Sequence, residues 1–502
     1  MLLCAVALRT VRMSDSLWVD ELHTSWTVAD GLGDVFARAA RGNQSPVFFW
    51  MEWLICAICG QSEIALRLGS WIAANSLIAM LMVFVRRETG ANMAAAAVGL
   101  LMAIDSNLIF YANEARPYAL LQLCASLSAI SCYRYATAGL PRQRVAWIVL
   151  AVTGCYLHYT AGLLLVAECT YLLLLRRDRS REKTGKWLQS CAIDFTVIAL
   201  LLLPTLPHLF DIAGRRENWE QFVKRRDVLD VMSVLPSTSI VLVAVIAISI
   251  VVVLPFGYRC FFCGTPERIQ IPAGFRNRQS LWLMTILWFV VPVVIAFTLN
   301  NTDLARVFFR RYLVSVIPAT YLLIGLAISM PSRHWRLLVA AVVIGFGAYQ
   351  SYTVRPFSPY LVVARHSRED WRFAIEWLNE NTGATLDREL VLLRAGLIED
   401  DLLQSERATW QEYSQLPISG LYRLERSGMD VISLPYTDSG QLDSRTLKLL
   451  RERGEAWLLI RGRKATREEV VSASIESTGG EFEIAEQHSF GPTLGLCKII
   501  RK

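Results

Sequence analysis

Long apolar runs separated by short polar stretches fill the first 352 of the 502 residues. The runs lie near 66–85, 91–104, 117–135, 145–157, 160–175, 187–207, 236–256, 280–299, 312–330 and 335–352. Several approach the ~20 residues that carry an α-helix across a bilayer, and shorter ones suffice where neighbouring helices shield their ends. Residues 1–12 add a curtailed first span, so the pattern predicts about eleven transmembrane helices, the first of them cut short. From 353 onward the apolar runs shorten and mix with charge. Asp370-Trp-Arg-Phe-Ala-Ile-Glu-Trp-Leu-Asn379 has helical apolar spacing, and Thr382-Gly383 suits its end. Glu389–Leu393, Ala456–Ile460 and Leu494–Ile500 read as strands, with Ser444–Arg453 and Thr466–Ser474 as helices between them. The predicted class is an α-helical polytopic membrane protein: a membrane domain over 1–352 and a C-terminal α/β soluble domain over 353–502.

Basic residues set the orientation, because Lys and Arg collect in cytoplasmic loops. Arg86-Arg87, Arg134 with Arg142 and Arg144, Arg176 to Arg181, Arg259 to Arg278 and Arg333 to Arg336 read as cytoplasmic. They alternate correctly if 46–60 does not cross. That segment is apolar but short, and Ser45 before Pro46 is a favourable helix start. It reads as an interfacial helix within a first outer loop spanning 13–65. By parity 105–116, the turn at His158-Tyr159, 208–235, 300–311 and the tail also fall outside. Stretch 208–235 runs against the rule, since it carries Arg215, Arg216, Lys224, Arg225 and Arg226 beside Asp211, Glu217, Glu220, Asp227 and Asp230. Mixed charge of that kind suits an outer loop whose cations meet an anionic ligand.

Composition agrees with a membrane protein: 54% of residues are hydrophobic and 19% charged, against about a quarter charged in soluble domains. The net charge of +7 does not point to nucleic acid, because the cations sit between apolar runs. Most of the 11 cysteines lie within such runs, where a thiol behaves as a small hydrophobe. Cys260-Phe-Phe-Cys263 has half the spacing of a zinc site, without a second pair or a His cluster to complete it.

The outer loops hold the unusual residues. Trp18-Val-Asp20-Glu21 sets two carboxylates at the edge of the membrane. Ser45-Pro46-Val-Phe-Phe, Gly60, Glu63 and Arg67-Leu-Gly-Ser70 follow, then Tyr111-Ala-Asn-Glu114-Ala-Arg116-Pro117-Tyr118. In this order they resemble the bacterial branch of the protein-mannosyltransferase and aminoarabinose-transferase superfamily, glycosyltransferases of the GT-C fold that use polyprenyl-phosphate sugars. The resemblance covers roughly the first 180 residues, with Arg311-Tyr312-Leu313 a weaker later match and the tail contributing nothing. The chain departs from the family in its short first span and in Ser45-Pro46, where many members have a double proline.

The resemblance implies transfer of a monosaccharide from a polyprenyl-phosphate donor to a hydroxyl acceptor on protein, lipid or glycan. It places the chain in the inner membrane, with the site and the tail on the periplasmic side. Such transfer needs a base for the acceptor proton and cations or hydrogen-bond donors for the departing phosphate. Asp20 fits the base, its bland alternative being an N-cap for a helix beginning at Glu21. Neighbouring helical side chains diverge by ~100°, so Glu21 has its own target: substrate, an Arg, or water. Glu114 and Arg116, two apart in a stretch expected to be extended before Pro117, point the same way and form either a surface ion pair or one wall of the substrate site. Arg310 and Arg311, with Arg306, lead as phosphate ligands, against snorkelling to lipid headgroups. Tyr118, His158, Tyr159 and Tyr312 are further substrate contacts, and Glu168 is an intramembrane carboxylate with no evident partner. Asp20, Glu21, His23 and Glu114 could collect a divalent cation, without dedicated ligand spacing. The rival reading is a transporter or flippase of lipid-linked substrates. It expects broken helices, midplane polar sites and repeated halves, whereas here polar residues gather at one face and no repeat is visible. A membrane-anchored sensor would leave the acidic pair unexplained.

Overall fold

The computed structural model describes residues 1–174, 181–214, 224–262, 279–353, 369–381, 389–424, 430–436 and 440–502. The chain divides into two compact units, one of Met1–Arg12 with Arg67–Ala364 and the other of Met13–Leu66 with Arg365–Lys502.

In the first unit a helix occupies each predicted run, including Leu2–Thr10, Tyr118–Ala138, Pro141–Leu157, Gly162–Leu174, Ile317–Ser329 and Arg333–Thr353. Among the described residues, Glu63–Thr89, Gly185–Gly214 and Gln279–Asn301 can cross a bilayer by length and apolarity alone, and two bent pairs raise the total to five. The rest fall short for physical reasons. Ile317–Ser329 is short but buried along its whole length, so its surroundings are protein rather than lipid. Tyr118–Ala138 buries Gln122, Ser126, Ser128 and Ser131, small and polar groups suited to helix–helix packing. Gly325 shows how close the approach is, since a Cβ there would stand 2.8 Å from Val98 and 3.2 Å from Val85.

The stretch 105–116 is not a simple loop. Helix Asn92–Ile104 breaks at Asp105 and continues as Ser106–Ala112 at an angle of 63°. Asp105 caps the second piece by accepting the Leu108 amide (2.8 Å) and also accepts the Tyr321 hydroxyl (2.6 Å). A break frees backbone carbonyls that must find new donors. Arg9, fully buried, supplies them by donating to Met102 O at 2.8 Å and Ala103 O at 3.0 Å. The stretch 208–235 is also partly helical, and Val228–Val234 turns through 108° into the helix that follows. Arg215, Arg216, Glu217 and Glu220 lie outside the described residues, as do Cys263, Thr382 and Gly383.

The second unit holds a five-stranded sheet: β1 (Leu390–Arg394), β2 (Asp430–Ser433), β3 (Glu455–Arg461), β4 (Phe482–Ser489) and β5 (Leu494–Arg501), in the order β2-β1-β3-β5-β4. β1 pairs in parallel with β2 and β3, whereas β5 runs antiparallel to β3 and β4. Every residue of β1 is buried, as expected where a strand is covered on both faces. Leu392, Leu458, Ile460 and Ile499 pack with Leu450, Val470 and Val471 of helices Ser444–Arg453 and Lys464–Ser477. The sequence reading missed β2 and β4 because both are edge strands without a full apolar alternation, β4 being mostly exposed. Helices Val19–Thr27, Leu32–Arg41 and Pro46–Cys59 belong to the same unit. Ser45 occupies the cap position of the last helix and Pro46 its first turn, but the Ser45 hydroxyl makes no capping bond.

Candidate active site

The acidic motif opens helix Val19–Thr27. Trp18, in extended conformation, is the cap residue, so Asp20 lies inside the first turn and is not the cap. Glu21 sits one turn from Trp18 and accepts its amide N–H at 3.3 Å. The two carboxylates diverge: Glu21 is 1% exposed, which excludes its facing water, whereas Asp20 is half-buried. Two residues on, His23 packs edge-on against Phe49 with ring centroids 5.4 Å apart and lies 3.2 Å from Arg38 O. Glu63 accepts the Tyr422 hydroxyl at 2.9 Å and pairs with Arg372 at 2.6 Å.

The other candidates lie in the first unit. Residues 113–117 form turns and bends between Ser106–Ala112 and Tyr118–Ala138, not an extended stretch, because a short linker joins the two helices. Glu114 and Arg116 are buried at 2% and 6% exposure, which removes the surface ion pair. Ser70 fixes the turn by donating to Arg116 O at 3.0 Å. From here an aromatic row runs across the chain. Tyr111 meets Tyr118 at 5.3 Å between centroids, Tyr118 meets His158 at 6.1 Å, and His158 meets Tyr312 at 5.5 Å. Arg311 ends the row, its Cζ 5.3 Å from the Phe309 centroid and 5.9 Å from that of Tyr312.

Electrostatics link the same group. Burial, with the Arg116 and Arg311 guanidiniums nearby, pushes the His158 imidazole down to about 3, so the ring is neutral at physiological pH. Its Nδ1 faces the Thr160 amide (3.4 Å) and hydroxyl (2.8 Å). An amide can only donate, so Nδ1 accepts and Nε2 carries the proton. Arg310 donates to Ser233 O at 2.7 Å, and burial pushes its guanidinium down. Arg306 pairs with Asp303 at 2.8 Å, and Arg225 also pairs with Asp303, so one cation of the mixed-charge stretch 208–235 is met by a carboxylate of 300–311. Tyr159 leaves the aromatic row and hydrogen-bonds His208 Nδ1 at 2.6 Å.

Two carboxylates have environments the sequence did not reveal. Glu168 does have partners, Ser128 Oγ at 2.7 Å and Trp147 Nε1 at 2.8 Å, both from other helices. Glu52 sits in a run of aromatic and aliphatic residues that masks it in the sequence. It is fully buried, and neither of its carboxylate oxygens has a hydrogen-bond partner among the described residues. Burial raises its carboxyl well above the ordinary value. Among the described residues no three His, Cys, Asp or Glu side chains gather where they could hold a metal ion.

Residues 43–207 match the family described as dolichyl-phosphate-mannose-protein mannosyltransferase. The fold matches that of ArnT from Cupriavidus metallidurans in the apo state, at TM-score 0.51 and 15% identity over 98% of this chain and 96% of that one. The chain thus shares the fold of ArnT and, over residues 43–207, is similar to the mannosyltransferase family. The same ArnT bound to undecaprenyl phosphate matches at TM-score 0.51 and 14% identity, with the same coverage. No curated protein matches by sequence. The family match covers Ser70, Glu114, Arg116, Tyr118, His158 and Tyr159, and Asp20 and Arg311 fall beyond it.

Proposed function

We propose that this chain is an integral membrane glycosyltransferase that moves a monosaccharide from a polyprenyl-phosphate donor to a hydroxyl acceptor at the periplasmic face of the inner membrane. The observation that carries the reading is the grouping of Arg116, His158, Tyr312 and Arg311, two cations set among aromatic rings. Guanidiniums match the oxygens of a phosphate through paired hydrogen bonds, and rings supply flat apolar surface beside them. A neutral His158 adds no third positive charge and offers Nε2–H as a donor. The family match and the solved relative bound to undecaprenyl phosphate support a lipid-phosphate donor.

In this reading Asp20 takes the proton of the acceptor hydroxyl. The acceptor oxygen attacks the anomeric carbon from the face opposite the phosphate, the bond from that carbon to the phosphate oxygen breaks, and the polyprenyl phosphate leaves as the anion. One displacement inverts the anomeric centre. Arg116 and Arg311, with Arg310, stabilise the charge that grows on the departing phosphate.

The test is transfer by purified, lipid-reconstituted protein from a panel of polyprenyl-phosphate sugars, beside an Asp20→Asn variant with an unchanged melting curve. Loss of transfer in the variant is the expected result. Unchanged transfer removes Asp20 as the base, and movement of donor across a membrane without a glycosidic product favours a flippase.

A further inference from the structure

The tail residues nearest the acidic motif do more than complete a fold. Glu369 is 4% exposed, and its Oε2 accepts the amide of Val19 at 3.1 Å. Val19 is the first residue of the helix that carries Asp20. The first amides of a helix have no partner within it, and a carboxylate there also meets the positive end of the helix dipole. Glu369 is therefore a cap delivered from far along the chain, where the local cap residue is Trp18, which has no oxygen to offer.

Glu369 is itself held. Arg461 on β3 donates Nε–H to Oε1 at 2.6 Å, and Trp371 donates Nε1–H to Oε2 at 3.0 Å. The residues just before the helix are pinned as well. Tyr422 accepts the Leu17 amide at 2.9 Å, and Arg372 donates to Ser14 O at 2.6 Å, while its own amide donates to Ser16 Oγ at 3.2 Å. Further along the helix, Ser25 Oγ accepts the Leu421 amide at 2.5 Å, and a Cβ on Gly420 would stand 2.5 Å from that same oxygen. All these groups lie within one compact unit.

We infer that Glu369, locked by Arg461, is a positioning residue for Asp20: it sets the start and angle of the helix that presents the base. The inference rests on Asp20 being that base. A side chain on the first turn of a short helix moves with that turn, and a misplacement near 1 Å costs about 100-fold in rate. The C-terminal domain thus takes part in the chemistry through this helix.

The test compares Glu369→Ala and Glu369→Gln with wild type in the reconstituted transfer assay, each also in an Asp20→Asn background. Positioning predicts that Glu369→Ala lowers kcat about 100-fold with the donor KM within twofold. Glu369→Gln keeps an oxygen for the Val19 amide and restores part of that loss. In the Asp20→Asn background neither change lowers the residual rate further, whereas a general loss of folded protein lowers both backgrounds equally. Should Glu369→Ala fail to fold, Arg461→Lys, which keeps the charge and shifts the carboxylate, must show the same kcat loss at unchanged KM. An inactive Asp20→Asn beside a fully active Glu369→Ala, or an equal loss in both backgrounds, overturns the positioning role and leaves the base intact. An active Asp20→Asn overturns the base reading itself.

Discussion

Arg311 stacks over the ring of its neighbour Tyr312, with Cζ 5.9 Å from the centroid, and that ring leads on to His158. A planar guanidinium can stack and bind phosphate at once, which an ammonium cannot. Arg311→Lys keeps the charge but loses the paired hydrogen bonds and the stacking. Transfer is expected to fall about tenfold to a hundredfold in kcat/KM, read from steady-state kinetics with a fixed acceptor. Equal kinetics for Lys and Arg would remove Arg311 from the phosphate site.

His158 gives a pH dependence with a definite sign. Its folded value of about 3 lies below the ordinary 6.5, so below 6.5 the unfolded chain binds a proton that the folded chain refuses. The His158 contribution makes stability fall as pH drops from about 6.5 towards 3, by at most about 1.4 kcal/mol per pH unit. His158→Gln should flatten that part of the curve, as measured by melting temperature in detergent at pH 4 to 7. An unchanged slope would contradict a buried neutral imidazole.

Glu52 has the opposite sign. Its folded value is raised above the ordinary 4.5 by burial, so the folded chain holds this proton to higher pH than the unfolded chain does. Stability from this group is present below 4.5 and is lost as pH rises. Glu52→Gln should therefore raise the melting temperature at pH 7 and leave it nearly unchanged at pH 4. A variant less stable at pH 7 would show that the carboxylate is needed in charged form.

Gly42 lies against His23: a Cβ there would stand 2.2 Å from Nε2 of the ring. The backbone at Gly42 is ordinary, with φ −85°, so Gly42→Ala tests crowding and nothing else. Displacing a packed ring is expected to cost about 1–3 kcal/mol, visible as a lower denaturant midpoint. A neutral effect would mean that the ring has room to move.

Glu168 tests the intramembrane network. Removing its carboxylate leaves the Trp147 N–H and the Ser128 hydroxyl without their acceptor. Glu168→Ala is expected to cost about 1–3 kcal/mol for each stranded group, whereas Glu168→Gln, which keeps an acceptor, should cost less. Equal melting temperatures for the two variants would argue against these bonds.

The sequence by itself determined the elements whose signals are local. Hydropathy accumulates residue by residue, so the apolar runs of the first 352 residues foretold helices, and shorter apolar runs in the tail foretold β1, β3 and β5. The motif order around Asp20, Ser45-Pro46 and Glu114–Arg116 likewise pointed to the family. Tertiary structure decided everything that depends on a partner far along the chain. Asp105 breaks a helix because Tyr321 and Arg9 satisfy what the break exposes, and no window around 105 contains either. Glu168 gained its partners from two other helices, Glu114 and Arg116 became buried only when the bundle closed, and Trp18 is followed by a helix because Glu369 supplies the acceptor it lacks. Hydrophobic period is written in neighbouring positions, but a buried polar group is settled by whichever distant side chain the fold brings to it.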